Sequence, residues 1–165
     1  MITMPKNQRM WLTPQHRLLT KIDFFSSIQQ NNIRLKFKQK SQINLRFLDE
    51  VAWGETPNSV IQKLGDPFFI HKNPNNNESL SIFTYVFRSA NRKLKIQLHF
   101  IDNTFSLGTI VYNAPVNCLE LNYYFRNKYQ LRSFDILRDM IADKEGNLIN
   151  FLLNPDQLVI LFYNQ

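Results

Sequence analysis

Three histidines and one cysteine are the residues best suited to chemistry in this chain. His16, His71 and His99 lie far apart, and no two stand in an H-x-x-x-H spacing, which would place both imidazoles on one helical face for a metal. Cys118 has no histidine near it in sequence, so no thiolate–imidazole pair is encoded locally and a buried structural thiol is expected. Asp135, Asp139 and Asp143 fall at i, i+4 and i+8, a spacing that would line a helix with carboxylates. The surroundings read as a strand, and Arg138 and Lys144 stand beside them, so a solvated surface is the reading. There is no glycine-rich phosphate loop and no G-x-S-x-G elbow. The chain has only four glycines, and each is expected to serve a turn or a cap. The expectation is a protein that is not an enzyme and carries neither cofactor nor metal.

Residues suited to binding are more abundant. The net charge is +7, and the excess is concentrated in residues 1–50, with nine Lys or Arg against three acids. In the stretch IRLKFKQK, Arg34, Lys36, Lys38 and Lys40 alternate with Leu35, Phe37 and Gln39, giving a basic face at a period of two. Lysines on an edge strand also deter sheet-to-sheet aggregation, the plainer explanation for them. In NYYFRNKYQLR, Tyr123 and Tyr124 are interleaved with Arg126 and Lys128, a mixture found where single-stranded nucleic acid stacks on aromatics. The segment LSIFTYVF is apolar in both phases: Leu80, Ile82 and Val86 in one, Phe83, Tyr85 and Phe87 in the other. A one-faced sheet needs only one of these. With 14 phenylalanines in the chain, Tyr85 and Phe87 are the expected centre of a protein-binding surface, with Phe83 beside them and the Asn75, Asn76 and Asn77 loop at its rim.

Local signals define the elements that must position these residues. Thr56 before Pro57 is a cap followed by the proline best tolerated in a first helical turn. Val60, Ile61 and Leu64 share a face, Gly65 supplies the left-handed exit, and Asp66-Pro67 blocks continuation. Thr13-Pro14 repeats the cap and predicts a helix over 13–30, whose apolar stripe is Leu18, Ile22, Phe25 and Ile28, widened by Leu19 and Phe24. A hairpin over 33–47 follows, with Ile43, Leu45 and Phe47 as the inward residues of its second strand. Strands are expected at 80–88, 94–101 and 105–112. In RKLKIQLHF, Leu94, Ile96, Leu98 and Phe100 point one way, and Lys93, Lys95, Gln97 and His99 point to a wet face. Asn117 and Glu120 have capping-box spacing, and Cys118, Leu121, Phe125 and Tyr129 form one face of the helix they open. Three strands close the chain, at 134–142, 148–153 and 158–163. The order predicts an α+β fold, short helices packed on antiparallel sheet, with a helix followed by a meander occurring twice.

At 165 residues this is one domain, divisible into a basic helix-hairpin (1–50), a helix with its meander (51–113) and a helix with three strands (114–165). No stretch approaches the roughly 20 apolar residues of a membrane span, and the basic, polar start lacks a secretory core, so cytoplasmic residence is expected. A single cysteine permits no internal disulfide.

The pattern Gly54, Thr56, Val60, Leu64-Gly65 and Pro67, followed by Tyr85-Val86-Phe87-Arg88, resembles the small lipoprotein subunit of the outer-membrane β-barrel assembly machinery, whose fold is related to the β-lactamase inhibitor protein. The resemblance covers about 51–113, and the motif encodes a capped helix and its exit. It implies an α-plus-antiparallel-sheet module that presents its sheet or loops to another protein and catalyses nothing. The resulting expectation is a protein–protein interaction module, an adaptor, inhibitor or immunity-type protein. The alternative is RNA or single-stranded nucleic-acid binding through Arg34, Lys36, Lys38 and Lys40 with Tyr123, Tyr124, Arg126 and Lys128.

Overall fold

Cap signals determine where the two helices of the described residues begin. The Thr56 hydroxyl accepts from the Ser59 N–H at 3.3 Å and opens α1 (Pro57–Leu64). Gly65, at φ +80°, closes it by donating its N–H to the Ile61 carbonyl at 2.8 Å. The Asn117 side chain accepts from the Glu120 N–H at 3.2 Å and opens α2 (Cys118–Lys128). Around these helices the computed structural model describes residues 36–73, 80–89, 92–113, 115–153 and 155–164. The strands are β1 (Phe37–Lys40), β2 (Phe69–Asn73), β3 (Leu80–Ser89), β4 (Arg92–Ile101), β5 (Thr104–Asn113), β6 (Asp139–Ala142), β7 (Asn147–Leu153) and β8 (Gln157–Asn164). They form one open sheet in the order β1-β6-β7-β8-β5-β4-β3-β2, antiparallel throughout except that β1 runs parallel to β6. The fold is α+β, and helix-then-meander occurs twice, the two meanders joining where β5 pairs with β8. The helix expected over 13–30 lies outside the described residues, as do Arg34 and Asn75–Asn77.

Period-two alternation assigns every strand residue to one of two faces. On the near face, Phe83, Tyr85, Ile96, Leu98, Phe100, Phe105, Ile149, Phe151, Leu158, Ile160 and Phe162 are buried beneath Val60 of α1, Phe125 of α2 and Leu45, Phe47 and Val51 from the segment between β1 and α1. Rings dominate here: Phe83 and Phe100 have centroids 4.8 Å apart, Phe125 and Phe151 5.0 Å, and Phe47 and Phe162 5.3 Å. The predicted face of α2 is the one observed, with Cys118 and Leu121 packed against the core and Phe125 and Tyr129 inside it.

The far face belongs to sheet residues alone among those described: Ile101, Leu107, Val111, Met140, Leu148, Val159, Leu161 and Tyr163 are buried together. Strand register arranges its centre in three rows. Val86, Lys95, Val111, Val159 and Leu152 form one, and Ile82, His99, Leu107, Tyr163 and Leu148 another. Between them run Thr84, Gln97, Thr109, Leu161 and Asn150. Gln97 spans its neighbours, donating from Nε2 to the Thr84 hydroxyl at 3.4 Å and accepting from the Thr109 hydroxyl at 3.3 Å.

Four expectations are corrected. First, Gln97 and His99 do not lie on a wet face; they are buried, and Lys95 is half-buried. Second, 33–47 forms no hairpin over its described part. Only β1 is a strand, paired with β6 some hundred positions away, while Leu45 and Phe47 are buried from an irregular chain. At Leu45 and Phe47 the alternation marked burial, which a non-strand backbone also satisfies, whereas Ile43, expected inward with them, is exposed. Third, the strand expected over 134–142 is shortened to β6. The Asp139 carboxylate accepts from the Asp135 N–H at 2.8 Å, and the Asp135 carbonyl accepts from the Arg138 N–H at 3.0 Å, which folds 135–138 into a turn. Fourth, Gly108 serves no turn or cap. It lies mid-strand on β5, where a Cβ would collide with the Phe47 ring.

Candidate protein-binding surface

The residues expected at the centre of an interface divide. Phe83 and Tyr85 are buried, Tyr85 by α1: its hydroxyl donates to the Gly65 carbonyl at 3.0 Å, and burial pushes its pKa up, with Asp66 adding to the rise. The end of α1 lies against β3, where the Tyr85–Gly65 bond fixes it, and Val60 of α1 joins Phe83 and Tyr85 in one core. Neither can meet a partner, which corrects that assignment. Phe87 is 45% exposed and stacks beside Tyr85 at 6.5 Å. Two residues not singled out in the sequence reading join it near the same edge of the sheet: Phe68, 74% exposed, and Ile70, 40% exposed. Ile70 sits opposite Phe83, so it opens on the near face as Phe87 does. Phe68 immediately precedes β2, whose only strand partner among the described residues is β3. The signal was present in the run Pro67-Phe68-Phe69-Ile70, which carries more apolar side chains than a helix exit requires.

The nucleic-acid candidates do not converge. Lys36 turns inward: its ammonium donates to the Phe151 carbonyl and lies 5.9 Å from that ring's centroid. Burial lowers its pKa to about 8, partly countered by Asp139. Lys38 and Lys40 are exposed and align with Met140 and Ala142 on the far face. The exposed Tyr123, Tyr124, Arg126 and Lys128 belong to α2, on the opposite side of the sheet. Lys128 is committed within that helix, its ammonium 3.2 Å from the Tyr124 hydroxyl and 5.5 Å from that ring.

A cleft of about 250 Å³ opens beside α1 between the 44–55 segment and the β6–β7 turn. Trp53 forms part of its wall, stacked on Phe105 at 4.8 Å and donating its indole N–H to Asn147 Oδ1 at 2.9 Å. Glu55 pairs with Lys63 at 2.6 Å and accepts from the Ala52 N–H and the Ser59 hydroxyl. The Lys63 bond, followed by the other two, holds the Glu55 carboxyl at about 2. Nearby, burial would raise the Asp143 pKa, but hydrogen bonds from Asn147, Leu45 and Glu145 outweigh it and the net shift is downward. These acids tie backbone segments together, and their hydrogen-bonding capacity is turned inward.

The aspartates at i, i+4 and i+8 are likewise separate turn and cap elements: Asp135 and Asp139 close the 135–138 turn and Asp143 the 143–147 turn. No group of three His, Cys, Asp or Glu suited to a metal occurs among the described residues. His71 and His99 share the row through Ile82 but stand two strands apart, and His16 lies outside the described residues. No described helix is long and apolar enough to cross a membrane. No protein-family model, curated protein or solved structure matches the chain.

Proposed function

We propose that this protein is a non-catalytic protein-binding module that meets its partner along the β2 edge of its near face. The observation that carries the reading is the grouping of three exposed apolar side chains, Phe68, Ile70 and Phe87, around one edge strand. Aromatic anchors beside a polar rim are the usual centre of a protein interface. An edge strand adds backbone N–H and C=O groups that a partner can pair with. The alternative, nucleic-acid binding, needs the basic strand and the aromatic helix on one surface, and their opposite placement argues against it.

Exposed side chains permit a clean test, because removing them leaves the core intact. Phe68→Ser with Phe87→Ser should melt as the parent does and lose the protein captured from native extract. Leu119→Ser with Tyr123→Ser, on the outer face of α2, should retain it. The reverse pattern would move the interface to α2. Capture of RNA instead, falling steeply with salt as counterions are released, would establish the alternative.

A further inference from the structure

α2 buries Phe125 and turns its opposite side to solvent, where Leu119 is 81% exposed and Tyr123 69% exposed. Leu119, Tyr123 and Arg126 stand at i, i+4 and i+7, so they share one stripe of the helix. A third apolar side chain is held beside that stripe. Asn122 Oδ1 accepts from the Ile136 N–H at 2.8 Å, which pins the 135–138 turn to α2. Ile136 is buried there, and Leu137 is 57% exposed. We propose that this surface, with Leu119, Tyr123 and Leu137 as its apolar part and Arg126 and Arg132 as its charge, is a contact for an anionic lipid bilayer.

Charge favours that occupant. Arg126 and Arg132 are exposed, and the Leu131 N–H, bonded to the Arg126 carbonyl at 2.9 Å, folds the chain back to the end of α2 that carries Arg126. Neither guanidinium enters the ion pairs found among the described residues, Lys63–Glu55 and Arg138–Asp135. Glu120 is the one acid of α2. A guanidinium matches a phosphate with paired hydrogen bonds, and lipid headgroups present phosphates in a plane. The same excess of like charge opposes a second copy of this chain meeting the surface. The apolar residues separate a bilayer from nucleic acid. Leu119 and Leu137 find nothing to pack on along a phosphate backbone, whereas hydrocarbon lies just beneath the headgroups. Tyr123 suits the level between, with an apolar ring and a hydroxyl that stays wet. Side chains this exposed line no groove, and a fluid surface, unlike a folded acidic protein, needs no complementary shape. Contact of this kind requires no spanning helix, and none occurs among the described residues.

Sedimentation of the full chain with lipid vesicles tests this. Vesicles of equal parts phosphatidylserine and phosphatidylcholine should be bound about tenfold more tightly than phosphatidylcholine alone, and added salt should weaken the binding. Leu119→Ser with Leu137→Ser leaves the charge unchanged and should weaken it by about tenfold, with a thermal melt like the parent's. Tyr123→Ser, a second variant outside the core, should show a smaller loss in the same direction. Lys38→Ser with Lys40→Ser, which removes two charges from β1, should bind more tightly than the leucine variant. Equal binding to both vesicles, or a leucine variant that binds as the parent does, would overturn the proposal. A larger loss in the lysine variant would assign the attraction to β1 and overturn it as well. Retention of polyglutamate, lost in the leucine variant, by a chain that ignores both vesicles would overturn it in favour of an acidic polypeptide.

Discussion

The two faces of one sheet are built from different chemistry, although every strand contributes to both. The near face is aromatic: Phe83, Phe100, Phe105, Phe151 and Phe162 meet Phe47, Phe125 and Phe134 from outside the sheet. The far face is aliphatic, with a polar row through its middle. Two short helices and an irregular segment cover the near face, and rings fill the uneven spaces between such elements. The comparison teaches that a period-two pattern identifies which residues face together and not whether that face is wet. Gln97 looks like a surface residue and is buried, because a polar side chain tolerates burial when its hydrogen bonds are met.

Adjacent residues on β4 give the sharpest contrast. Leu98 lies on the near face and Gln97 on the far face, and both are buried. Leu98→Ala should destabilise by about 2–5 kcal/mol in denaturant unfolding, through lost apolar contact and a residual cavity. Gln97→Ala should cost about 1–3 kcal/mol, because the Thr84 and Thr109 hydroxyls lose a shared partner. A Gln97→Ala cost near zero would mean water reaches that row and the contrast between the faces is one of wetness after all.

A smaller effect probes how tightly the near face is closed. Gly108→Ala introduces a Cβ where the Phe47 ring sits, and the ring must shift or the strand must move. About 1–3 kcal/mol of destabilisation is expected, as for other overpacked cores. A thermal melt unchanged from the parent would show that Phe47 yields freely and that packing there is loose.

The smallest effect concerns the rim of the near-face cover. Glu55 titrates at about 2 in the folded chain, below its ordinary value of 4.5, so folding favours its ionised form. Its contribution is therefore present above about pH 4.5 and is lost as pH falls towards 2. Glu55→Gln should be less stable than the parent at neutral pH and converge with it over that window. Because the pair is at the surface, added salt should shrink the neutral-pH difference. A gap that persists at pH 2 would assign the role of Glu55 to packing rather than charge.

Local spacing determined a good deal of this fold. Thr56, Pro57 and Gly65 delimit α1 because a cap, a fixed φ and a left-handed exit each act within a few residues. Asn117 does the same for α2. The alternation of Leu94, Ile96, Leu98 and Phe100 identified one face of β4, since side-chain direction follows from backbone geometry alone. Other features depended on residues far apart in the chain. Pairing of β1 with β6 joins residues about a hundred positions apart, and parallel strands leave no turn between them to read. The covering of Tyr85 by α1, the grouping of Phe68 with Ile70 and Phe87, and the burial of Gln97 depend on which element lies over which face. Hydrophobic burial is non-directional: an apolar residue reports that something must cover it, and only the assembled sheet decides what does.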